Sequence, residues 1–168
     1  MKDSLKIVRE LIEAHRTIRA QVREASDLIT DLDAVFGLQK AYSGWTLSSI
    51  EALSERQKNL QQTIDRFEEG LRNHFAVEEK DLAPLLGEVL MKALALEHGE
   101  IASQINEART LVTNMRLEGL TQEEALSRKS QVQKVVSETF HLVEQHAARE
   151  NTLLKMIESA LEARPWGR

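Results

Sequence analysis

LQQTIDRFEEGLRNHFAVE, residues 60–78, is the stretch that decides the fold. Leu60, Ile64, Phe67, Leu71, His74 and Glu78 recur every three or four residues, the spacing that places side chains on one face of an α-helix. The stripe begins in hydrocarbon and ends in an imidazole and a carboxylate, at positions where a soluble helix buries apolar groups. Burying an unpaired ionisable group is expensive, so this helix must find compensating partners inside the molecule.

Working outward, the same stripe extends back through Leu53 to Ile50, and Ser48 with Glu51 reads as a capping box that opens the helix. Pro84 should stop it, and Gly87 should mark the following turn. Upstream, Leu5, Val8, Ile12, His15, Val22, Ile29, Leu32 and Phe36 outline a first helix from about Ser4 to Phe36, with Ile18 covering the gap at Arg19. Gly37 to Thr46 then interrupts the pattern. Downstream, Leu90, Leu94, His98, Ile101, Ile105, Ala108, Val112 and Met115 form a third helix ending near Gly119. Thr121 with Glu124 caps a fourth, which carries Val132, Val135, Thr139, Val143, His146, Glu150, Leu153 and Ile157.

Short connections between the last three helices force neighbours to run antiparallel, so the expected fold is an all-α, up-down-up-down four-helix bundle forming a single domain over residues 1–168. At about 1.5 Å per residue, His15 lies roughly 16 Å above the start of its helix, His74 about 12 Å before the end of its own, and His98 about 16 Å after its start. His146 lies about 25 Å from its helix end, so the fourth helix must overhang by a turn or two for the four imidazoles to meet.

Composition agrees with a helical protein. The 168 residues are 42% hydrophobic and 29% charged, and only seven Gly and two Pro interrupt them. A formal charge of −5, spread along helix faces, argues against a nucleic-acid footprint or a membrane-binding basic patch. The absence of cysteine excludes disulfides, thiolate metal sites, iron–sulfur clusters and cysteine nucleophiles. The charged N-terminus, MKDSLKIVRELIEAH, and the lack of an apolar run of roughly 20 residues give a cytoplasmic expectation.

The unusual feature is chemical. His74 with Glu78 and His146 with Glu150 are two His-x-x-x-Glu pairs, each offering a nitrogen and an oxygen from one helix face one turn apart. His98 and His15 sit on the matching stripes of the other two helices. Six such donors meeting in one core point to a di-metal centre, for which imidazole with carboxylate suits iron, manganese or zinc. The bland alternative is a set of hydrogen-bonded core histidines, and His15, with no acid at helical spacing, is the residue to which it applies best. His141 faces Ser137, Glu138 and Gln145 and reads as exposed. Glu138 with His141 is a lone Glu-x-x-His unit where a ferritin-type site needs two, and a bis-histidine haem would leave Glu78 and Glu150 without a role. Tyr42 and Trp45 read as a packed lid at the far end, and Met91, Met115 and Met156 as gap-filling core or near-core residues.

HFAVEE at residues 74–79, LEHGEI at 96–101 and HAARENTLL at 146–154, with His15 ahead of them, resemble the hemerythrin-like proteins, the HHE cation-binding domain, across essentially the whole chain. The resemblance implies a non-haem di-iron centre, zinc or manganese being the less favoured metals. In it His15 and His74 would ligate one iron, His98 and His146 the other, and Glu78 and Glu150 would bridge. Oxygen carriers of the family have a second histidine one turn after the third-helix ligand, where this chain has Ala102, and a fourth-helix carboxylate five residues after its histidine, where Glu150 follows His146 by four. Both departures make the chain more similar to bacterial iron-centre repair and related HHE proteins, although the short cysteine-bearing N-terminal segment of many repair proteins has no counterpart here.

The expected partners are a small diatomic ligand or peroxide, reacting at the iron held by His98 and His146 on the side opened by Ala102, together with an electron-donor protein if the chain is an enzyme. Leu71, Phe75, Leu94, Ile101 and Val143 would limit water entry, and Glu79 and Glu97 are candidate acceptors for imidazole N–H groups or, alternatively, direct ligands. A gas- or iron-binding protein, a peroxide or nitric oxide reductase, and a metal-free helical interaction module are the three competing functions.

Overall fold

A computed structural model describes residues 2–41, 47–115 and 121–163. They form α1 (Lys2–Ala41), α2 (Leu47–Asp81), α3 (Ala83–Thr113) and α4 (Gln122–Glu162), with no strand among the described residues. Each helix packs along two neighbours, α1 on α2 and α4, and α3 on α2 and α4, and across the diagonal side chains meet in the core, as Phe67 of α2 meets Phe140 of α4. This is the antiparallel four-helix bundle that the stripes require.

The boundaries differ in places from the expectation. α1 runs on through Gly37 to Ala41, because a single glycine weakens a long helix by only about 1 kcal/mol and does not stop it. α2 gives way to α3 at Leu82, which is itself right-handed helical, and the chain turns back at Gly87, where the sequence places the turn. Pro84 sits in the first turn of α3, where its missing N–H loses no hydrogen bond. Gly87 makes the turn back with φ 75° and ψ 169°, a conformation that glycine alone adopts freely. α3 ends at Thr113, short of Gly119. The Thr121–Glu124 capping box is formed, with Thr121 accepting from the Glu124 backbone and Glu124 accepting from the Thr121 N–H at 2.8 Å. The readings placed on the side chains of Leu32, Phe36, Tyr42, Trp45, Ser48 and Ile50, and on Gly119, lie outside what the structure describes.

The main core draws on all four helices, with Val22, Leu60, Phe67, Ile105, Val112 and Val136 buried and Phe67 meeting Phe140 edge to face at 5.7 Å. A smaller cluster of Val8, Leu11, Leu82 and Leu154, backed by Leu85, Leu86 and Ile157, closes one end of the bundle. There the N-terminal turns of α1 lie along the C-terminal turns of α4, tied by Arg9 to Glu158 at 2.8 Å and to Glu162. The expected overhang of α4 is therefore covered by α1 and by the Leu82–Leu86 segment.

Three core assignments are corrected. Leu90 is 46% exposed and Met156 66% exposed, and Val136 rather than Val135 is fully buried. Steps of four along a helix drift by about 40° each, so two of them carry Leu90 off the face that holds His98, whereas seven residues bring Met91 and Val136 close to their respective stripes.

Candidate metal centre

Between the two apolar clusters, each helix turns a polar group inward. On α2, His74 and Glu78 are one turn apart and their Nε2 and Oε1 atoms approach to 2.5 Å. From α1, His15 places Nε2 3.2 Å from Glu78 Oε1 and 3.2 Å from Glu150 Oε2. From α3, His98 Nε2 comes to 3.3 Å of Glu78 Oε2, and on α4 His146 Nε2 lies 3.2 Å from Glu150 Oε2. All six residues are buried, none exposing more than 7% of its surface.

The donors fall into two groups, His15, His74, Glu78 and Glu150 in one and Glu78, His98 and His146 in the other, each with ligand-capable atoms within 4.8 Å of one another. Glu78 belongs to both, with Oε1 toward His15 and His74 and Oε2 toward His98. The rings pair the same way, His15 with His74 at 4.8 Å and His98 with His146 at 5.0 Å.

Six atoms of this cage are buried without a hydrogen-bond partner: Nε2 of His74, His98 and His146, Oε2 of Glu78 and both oxygens of Glu150. They lie close together but not along hydrogen-bonding directions. Folded proteins leave few such atoms, and a cluster of six lone-pair donors facing one space is the donor set of a cation site.

The outer ring nitrogens are occupied differently. His98 Nδ1 donates to Glu79 at 2.8 Å, and His146 Nδ1 donates to Glu97 at 2.9 Å, with Arg149 holding the other Glu97 oxygen at 3.0 Å. His15 Nδ1 faces the Asn151 side-chain oxygen at 3.1 Å. A proton on Nδ1 leaves the Nε2 lone pair free to face inward, the tautomer that binds metals. Glu79 and Glu97 thus accept from the outer ring nitrogens and fall outside both donor groups.

Electrostatics follow from the crowding. Burial opposes protonation of His15, yet Glu150, Glu78 and Asn151 together push its pKa up to about 9. His146 is also raised, against burial, by Glu150 and Glu97. Burial alone would raise Glu78, but His15, His74 and His98 hold it far below the usual carboxylate range. Glu97 is lowered in the same manner, against burial, by His146 and Arg149.

All six residues singled out from the stripes, His15, His74, Glu78, His98, His146 and Glu150, therefore converge. His141 is exposed and hydrogen-bonded to Gln145 at 2.8 Å, away from the cage. Asn151 and Arg149 carry no signal in the sequence, since each lies off the apolar stripe and acquires its role only through a neighbouring helix.

A four-helix bundle enclosing such a cage defines a class of helical proteins able to hold metal ions in their cores. The sequence model of the hemerythrin HHE cation binding domain matches residues 6–158, and the chain belongs to that family. No curated protein and no solved structure gives a significant match. Among the described residues, no helix is long and apolar enough to cross a membrane.

Proposed function

We propose that the chain is a non-haem di-iron binding protein that binds or reacts with dioxygen, peroxide or nitric oxide, in sensing, stress defence or iron handling. The observation that carries this reading is the sharing of Glu78 between two donor groups, each with its own pair of imidazoles. His15 and His74 would hold one iron and His98 and His146 the other, with Glu78 and Glu150 between them. The donors are nitrogen and oxygen without sulfur, a set that suits iron and manganese as well as zinc.

When bound, a pair of irons supplies one-electron redox steps and free coordination positions for a small ligand. The protein's part is to orient and to exclude water. Glu79 and Glu97 keep the Nδ1 protons of His98 and His146 in place, so that both Nε2 atoms remain donors. Phe75 stacks on His98 with ring centroids 3.9 Å apart and meets His146 edge-on at 5.6 Å, holding both rings and covering them with hydrocarbon.

The test is anaerobic loading with ferrous iron, exposure to air, elemental analysis and an optical spectrum. About two irons per chain with an oxo-bridge charge-transfer band is the expected result, and stoichiometric zinc in protein purified from cells would redirect the assignment. Nitric oxide titration and peroxide turnover on the loaded protein then separate a binder from an enzyme fed by an electron-donor protein.

A further inference from the structure

Beside His98 the groove between α2 and α3 widens into a cleft of about 240 Å³. Gly99 and Ala102, three residues apart on α3, form one wall, and a Cβ added at Gly99 would meet nothing within 4 Å. Phe75 and His98 form the inner end, 7% and 4% exposed, and His98 Nε2 has no hydrogen-bond partner. At the mouth, Glu68 is held by Arg72 at 2.8 Å and by Arg109 at 3.2 Å. Clefts along Ala83–Ala95 and Leu5–Glu13 touch none of the six cage residues.

We propose that this cleft is the access route and docking pocket for a small inorganic ligand of two or three heavy atoms, with Phe75 as the partition between pocket and cage. The inference rests on the cage being a metal centre and adds how an outside molecule reaches it. The volume falls below the roughly 300 Å³ at which pockets for drug-sized molecules begin, so larger substrates are excluded. Arg72 and Arg109 offset Glu68, the one carboxylate lining the cleft, so no uncompensated negative charge meets an incoming anion, while phenyl, glycine and alanine walls let a neutral diatomic pass. Phe75 both lines the pocket and stacks flat on the His98 ring, with interplanar angle 7°, so its rotation would connect the two spaces.

The test is stopped-flow binding of azide and of nitric oxide to the iron-loaded chain, with iron content measured for every variant. Ala102→Leu fills the pocket from an exposed position and should slow association of both probes about tenfold with iron content unchanged. Phe75→Leu should speed both, and Arg72→Gln should slow azide while leaving nitric oxide as it was. Unchanged association rates in Ala102→Leu at full iron content overturn the access route and leave the metal centre standing. A wild-type chain that takes up no iron overturns both.

Discussion

Glu78 is fully buried, touches three imidazoles and belongs to both donor groups, so the metal reading is most exposed to test at this residue. Replacing His74 and Glu78 together with Leu is expected to abolish iron uptake and to remove the gain in melting temperature that iron gives the wild type. A bundle with no metal to hold would instead melt higher, because two buried polar groups had become hydrocarbon. The outer contacts can be tested separately. Glu97→Gln keeps the shape beside His146 but weakens its charge-assisted hydrogen bond, and iron affinity measured by chelator competition should fall about 10- to 100-fold.

The titrating groups of the metal-free chain set a pH window. His15 is raised from 6.5 to about 9, so its stabilising contribution is complete below 6.5 and disappears as pH rises through 9. Glu78 is depressed from 4.5, so its contribution is present above 4.5 and is lost as pH falls toward its folded-state value. Urea midpoints of the metal-free protein should therefore be highest between 4.5 and 6.5. A stability that keeps rising from pH 6.5 to pH 9 would contradict the assignment.

At the level of single helices, Gly87 offers the sharpest prediction. A Cβ there meets no neighbour, so any loss of stability in Gly87→Ala reports the positive φ alone, and about 1–3 kcal/mol is expected from denaturant unfolding. A neutral result would mean that the turn at Gly87 is not fixed by its backbone. This turn was legible because Pro84 and Gly87 are the two breakers between periodic stripes, and α2 ends three residues before the first of them. The stripes of His74 and His146 were legible because a polar residue on an otherwise apolar face is conspicuous, whereas the exposure of Leu90 follows from angular drift that a count of threes and fours conceals.

For the whole bundle, the six donors could be identified before any coordinates because four periodic stripes and short connections leave little freedom in how the helices meet. The cleft beside His98 could not, since it depends on how α2 and α3 are rotated against each other and on a salt bridge between Glu68 and Arg109 that joins the two helices. The end cluster had the same status: Leu82 lies beyond the last residue read on the α2 stripe, yet it is wholly buried with Val8, Leu11 and Leu154. Leu82→Ala should lower unfolding free energy by about 2–5 kcal/mol and quicken iron release to a chelator, because the void left behind lies on the closed side of the site. Unchanged release with the expected stability loss would show that this end does not seal the cage.

The distribution of the donors over four helices has a consequence for assembly. His146 and Glu150 come from α4, so a partly folded chain in which α4 has not docked offers only His15, His74, Glu78 and His98, and one donor group is left with a single imidazole. The cage then closes only as α4 docks, and a cation that binds it should favour the docked form over the undocked one.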